Sequence, residues 1–152
     1  PYQIYNSKGK KITFEKMVKE LQKSDLVLFG EFHDNSIVHW LQLKTVKALV
    51  DKKLLILGME MFERDNQVYL NEYLSGKLSE EDFAKSARLW NNYKTDYKPI
   101  VDFAKENQIE VKKVEFTWHA GGTLKSNRES IKELHKVIEE EGIFTVWVEI
   151  PE

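Results

Sequence analysis

The sequence predicts an α/β fold in three layers, a mainly parallel central sheet with helices on both faces. Two short unbroken apolar runs, Leu26–Phe29 and Leu54–Leu57, have the look of strands covered on both sides. Segments with apolar residues at helical spacing lie between and after them. Each run also stops at a glycine followed by charged residues, as strands do when their carboxyl ends face a ligand.

Taken in order, Thr13 caps a helix whose apolar face is Phe14, Met17, Val18 and Leu21. The first buried strand, Leu26–Phe29, ends at Gly30. Asp34, Asn35 and Ser36 offer caps for a helix from about Ile37 to Lys52, with His39, Leu43, Val46 and Val50 on the stripe that faces the sheet. The second strand, Leu54–Leu57, stops at Gly58. A polar helical region from about Asp65 to Asn91 is expected to break near Ser75-Gly76, and a further helix runs from Asp96 to Asn107 with Pro99 in its first turn. Glu110 to Phe116 is a third strand, Leu124 to Glu141 a charged helix stopped by Gly142, and Ile143 to Ile150 a fourth strand. Strands alternating with helices imply parallel pairing through right-handed crossovers. No repeat or linker interrupts the pattern, so residues 1–152 read as a single domain, a size able to bury one core.

Composition narrows the function classes. The 23 Lys and Arg nearly cancel the 25 Asp and Glu, which argues against a nucleic-acid surface. No window approaches the roughly 18 consecutive apolar residues of a membrane span. The absence of cysteine removes disulfides, thiolate metal sites and thiol nucleophiles together. Aromatic residues reach 12%, which favours a site for a flat apolar molecule once core volume is served. The chain starts at Pro1 without a signal-like run, and any targeting segment or lipid anchor is expected to lie outside it.

Candidate chemistry gathers at the strand ends. Gly30-Glu31-Phe32-His33-Asp34-Asn35 follows the first strand, and Gly58-Met59-Glu60-Met61-Phe62-Glu63-Arg64 the second; Glu115 and Glu149 take comparable places later. Converging carboxylates need cations, protons or metal, and His33, His39 and Arg64 could balance them. Glu31, His33 and Glu60 could also form a general acid–base site, His33 activating water while a carboxylate orients it. A nucleophilic-serine elbow and a glycine-rich phosphate loop are both absent from the sequence, which disfavours acyl-enzyme and nucleotide chemistry. A second cluster, Leu89 to Pro99, sets Trp90, Tyr93, Lys94, Tyr97 and Lys98 at the start of a helix. A tyrosinate can ligate ferric haem iron, and Lys or His can pair with haem propionates. His119, beside Trp118 and two glycines, is a further possible contact.

Three blocks resemble the ChaN family of haem-binding, iron-regulated lipoproteins. They are Leu28–Asn35 with His39-Trp40-Leu41-Gln42, Gly58–Gln67, and Asp96–Val101 with Phe103-Ala104. The resemblance covers the chain to about residue 110 and implies an α/β fold related to erythromycin-esterase-like proteins. It implies noncovalent haem in iron uptake or storage, held as two stacked haems at a homodimer interface. One subunit's tyrosine would bind iron, while a histidine and a lysine of the other hold the propionates. On that reading Tyr97 is the first candidate for the iron and Tyr93 the next, with Tyr69 and Tyr73 behind them, and His33, His39 and Lys94 are the other haem contacts. It places the protein in the cell envelope, as an outer-membrane lipoprotein or in the periplasm. The alternative it carries is a hydrolase of the erythromycin-esterase type using Glu31, His33 and Glu60. From Lys112 onward the family pattern is not recognisable, as if the domain were truncated or altered there.

Overall fold

The computed structural model describes residues 2–51, 55–62, 64–113 and 144–149, with backbone only for Arg64, Lys113 and residues 144–149. The readings placed on Glu63, Glu115, Trp118, His119 and the helix from Leu124 to Glu141 lie outside the described residues.

The fold opens with a small antiparallel ribbon that the apolar pattern did not announce, β1 (Ile4–Tyr5) against β2 (Lys11–Ile12). Its turn is closed by Asn6, whose side chain accepts from the backbone N–H groups of Lys8 and Lys10. Helix α1 (Phe14–Leu21) begins where Thr13 Oγ1 accepts from the Lys16 N–H at 3.2 Å. Strand β3 (Leu26–Glu31) leads to α2 (Ser36–Val50), which starts at Asn35, whose side chain accepts from the N–H groups of Ile37 and Val38. After β4 (Ile56–Met59) come a 3-10 turn (Arg64–Asn66), α3 (Gln67–Leu74) and α4 (Glu80–Ser86). The break between α3 and α4 falls at Gly76, whose φ of +76° is a left-handed conformation that a side chain would strain. A π-helical turn (Tyr93–Tyr97) runs straight into α5 (Lys98–Glu106), and β5 (Glu110–Lys113) and β6 (Phe144–Glu149) complete the described elements.

The α/β character is as predicted. Four strands form one sheet in the order β3-β6-β4-β5, and all three pairings are parallel. The strands extend further than their apolar runs. β3 continues through Gly30 to Glu31, because β6 pairs with it in register as far as Glu31 opposite Glu149, and β4 likewise runs through Gly58 to Met59. The last strand inserts between β3 and β4, so the first two apolar runs are not neighbours.

The core gathers Val46 and Leu49 of α2, Leu57 and Met59 of β4, Leu70 and Tyr73 of α3, Phe83 of α4, and Ile100, Val101 and Ala104 of α5. Tyr73 and Phe83 stack with centroids 4.8 Å apart and planes 9° from parallel, which fastens α3 to α4. Among the described residues no helix is long and apolar enough to cross a membrane.

Leu57 is fully buried on β4, between β6 and β5. Leu57→Ala is expected to lower the free energy of unfolding by about 2–5 kcal/mol, read from urea denaturation.

Candidate functional site

Glu31 closes β3 with its side chain turned into the protein, and its carboxylate is buried. A buried carboxylate is tolerable only if donors surround it, and here they come from three directions. Tyr97, at the end of the π-helical turn, donates its hydroxyl to Oε1 at 2.7 Å. The Nδ1 of His33 lies 3.0 Å from the same oxygen, and Gln42 of α2 donates its amide to Oε2.

The Gln42 amide thereby has a fixed orientation. Its nitrogen is committed to Glu31, so its oxygen faces His39 Nδ1 at 3.0 Å. The other nitrogen of His39 lies 3.1 Å from the backbone carbonyl of His33. Both ring nitrogens thus face oxygen atoms, and Nδ1 also lies 3.5 Å from Glu31 Oε2.

The carbonyl of His33 accepts a second hydrogen bond, from the Asn92 amide at 2.6 Å. That amide also reaches Asp96, whose other oxygen accepts from Ser36 Oγ at 2.9 Å. The His33 ring meets Trp90 edge-on with centroids 4.7 Å apart, and the His39 ring lies 4.5 Å from that of Tyr97. Backbone, ring and carboxylate around residue 33 are therefore fixed from β3, α2 and the turn before α5. The His33 side chain remains 31% exposed.

The structure brings together Glu31 and His33 from the end of β3, His39 from the first turn of α2 and Tyr97 from the second cluster, and Glu60 is near enough to act on the Tyr97 phenol. Tyr93 is elsewhere. It packs in an aromatic core with Phe62 and Phe83, its hydroxyl buried without a hydrogen-bond partner among the described residues. Lys94 is exposed and outside the network, while Glu149 and Arg64 are described by backbone alone.

Tyr97 and Tyr93, the first candidates for a tyrosinate ligand to haem iron, are both buried. Tyr97 is 2% exposed and Tyr93 5%. Burial pushes the Tyr97 phenol up, and its hydrogen bond to Glu31 pushes it further; burial also raises Tyr93. Both shifts favour the protonated phenol. Tyr73 is buried too, pushed up to about 12 by burial and then by its hydrogen bond to Asp102. Of the four tyrosines considered, only Tyr69 has an exposed ring, at 37%.

Gln42, Asn92, Asp96 and Ser36 were not assigned a part in the site from the sequence, although Ser36 was read as a helix cap and Gln42 and Asp96 lie in the quoted blocks. A signal was available for Gln42, three residues after His39 on a stripe otherwise expected to be apolar: a polar side chain there needs a buried partner. Asn92 and Asp96 sit inside the aromatic cluster, where the tyrosines drew attention instead.

Residues 17–116 match the family model described as haem-binding uptake, Tiki superfamily, ChaN. The chain belongs to this family. The matched segment holds every ChaN-type block quoted above and every side chain of the Glu31 network. Among solved structures, the chain is similar to one described as cofacial heme binding to ChaN of Campylobacter jejuni. That match has a TM-score of 0.66 and 16% identity, and it covers 97% of this chain and 79% of the other. At that identity the likeness speaks for a shared ChaN fold. No curated protein matches the sequence.

Two consequences can be measured for the ChaN-type network. Tyr97→Phe removes a donor from buried Glu31 and should cost about 1–3 kcal/mol of stability at neutral pH. In the unfolded chain tyrosines ionise near pH 10, while folded Tyr73, Tyr93 and Tyr97 hold their protons to higher pH. Their contribution is complete below about pH 10 and declines as pH rises toward the folded values. Tyr97→Phe should therefore also flatten the loss of stability above about pH 10, compared by urea unfolding at about pH 10 and about pH 11.5.

Proposed function

We propose that this protein binds haem noncovalently in iron uptake or storage, as a homodimer with haem at the subunit interface. Membership of the haem-binding uptake family carries the reading. The described residues fit such a group. Porphyrin is a flat apolar disc with an iron at its centre and two carboxylates at one edge. Phe32, Ile37 and Trp40 expose roughly half their surface at the carboxyl end of β3 and the start of α2, and His33 is partly exposed beside them. Lys44, one turn beyond Trp40, and Lys94 supply cations suited to carboxylates.

The groove of about 460 Å³ near Asn71, Ser75, Lys105 and Glu110 belongs to a different place. It lies at the amino end of β5, the rim opposite His33. A surface site completed by a second copy suits haem better than that groove does. The same proposal includes the three-layer arrangement, with helices on both faces, and a place in the cell envelope as an outer-membrane lipoprotein or in the periplasm. Should a tyrosinate hold the iron, the candidates are Tyr97 and Tyr93 by motif, and the exposure of Tyr69 supports that residue beside them.

The Glu31–His33 contact also favours a second reading, because a carboxylate orienting a histidine is the arrangement of a water-activating base. Hydrolysis of a model ester that disappears in His33→Ala would favour that hydrolase.

Titrating the protein with ferric haem should produce a saturable shift of the Soret band at one haem per chain, and sedimentation should show a dimer at saturation. A spectrum unchanged from free haem would refute the carrier reading.

A further inference from the structure

We propose that the β1–β2 ribbon and the outward face of α1 form a docking surface for a bilayer that carries anionic phospholipid. This surface is independent of the haem reading above. Charge sign is segregated along the chain. Residues 1–14 hold three lysines, Lys8, Lys10 and Lys11, and no carboxylate; the whole chain has a formal net charge of −2, so the remainder carries −5. Elsewhere lysines pair with acids, as Lys85 does with Glu81 at 2.7 Å and Lys98 with Asp102. Lys8, Lys10, Lys11, Lys16 and Lys19 are exposed and enter no ion pair among the described residues. A patch of one sign on a protein of opposite net charge attracts a polyanionic surface.

The patch also has the make-up of an interfacial one. The ribbon turns at Gly9, whose φ is +70°, with Lys8 and Lys10 at its tip. Tyr5 and Lys11 face each other across the strands and share one side of the ribbon, where Tyr5 is 57% exposed. Tyrosine is favoured where membrane meets water, because its ring enters the headgroup layer while its hydroxyl stays wet. On α1, Lys16 and Lys19 lie on the stripe opposite Phe14, Val18 and Leu21, which pack on the core. Lys23 continues that stripe just past the helix, where it pairs with Glu20 at 2.9 Å.

The ribbon is fastened rather than loose. The Lys44 ammonium lies 5.6, 4.2 and 5.1 Å from the ring centroids of Tyr2, Phe14 and Trp40, and it donates to the Tyr2 hydroxyl at 3.1 Å. This cage ties the start of the ribbon and the start of α1 to α2. Lysines on fastened elements meet a flat surface together, without the entropy cost of ordering a tail.

Sedimentation of the unmutated protein with sucrose-loaded vesicles tests this without haem, so its outcome does not depend on the carrier reading. Vesicles of equal parts phosphatidylglycerol and phosphatidylcholine should bind the protein at low salt. Phosphatidylcholine alone should not, and raised salt should release the protein. Lys8→Gln, Lys10→Gln and Lys11→Gln together should weaken partition about 100-fold, about 5-fold for each lysine. Lys16→Gln with Lys19→Gln should weaken it about 25-fold. Lys77→Gln with Lys85→Gln removes the same charge elsewhere and should change partition less than about 2-fold. All three variants should keep the unmutated urea midpoint, as exposed substitutions do. Binding to the anionic vesicles no greater than to the neutral ones, or equal loss in the two double variants, overturns the proposal.

Discussion

The buried carboxylate of Glu31 is the constraint on which the site's geometry depends. A lone carboxylate in a protein interior is held against a desolvation cost of several kcal/mol, and it stays ionised only where donors converge on it. Here the donors come from the loop after β3, from α2 and from the end of the π-helical turn. None of these segments can shift without leaving a polar group bare. The turn is itself part of that fit. Its extra residue per helical turn changes the direction from which Tyr97 enters α5, and such π-turns recur at functional sites.

Sheet topology explains why this network has room to form. β6 lies between β3 and β4, so the carboxyl ends of the two strands carrying Glu31 and Glu60 are two strand spacings apart, roughly 10 Å. Adjacent strands would have brought the two glutamates into direct repulsion. Separated by one strand, Glu31 turns toward α2 and the Tyr97 turn, while Glu60 still lies near enough to raise the Tyr97 phenol. Crevices at the carboxyl ends of parallel strands are the usual ligand positions of open α/β sheets, and His33 sits at that rim.

Much of this was legible in the residues. Apolar runs of four ending at glycine marked β3 and β4, since only a strand covered on both sides can be apolar without alternation. Thr13 announced α1, and Glu31, His33 and His39 stood out as polar groups at a rim. Pairing order was not legible, because the position of β6 depends on contacts far apart in sequence. The ribbon of β1 and β2 escaped because two-residue strands carry no periodicity. Gln42 and Asn92 escaped because an amide shows its role only once its two ends have partners, His39 and Glu31 in one case, His33 and Asp96 in the other.

The tyrosines carry the most instructive difference between sequence and structure. A tyrosine is ambiguous by nature, since its ring serves packing and its hydroxyl serves chemistry. Its position within a motif does not say which use prevails. Tyr73 and Tyr93 are spent on the core around Phe83, and Tyr97 on Glu31. Each of those uses stabilises the protonated phenol. The bond from Tyr97 also helps hold the carboxylate that His33 contacts. Tyr97 therefore belongs to the site by motif and by contact. An aromatic-rich sequence near a predicted rim locates such a site well; which ring faces outward is decided by where the buried charge needs its donors.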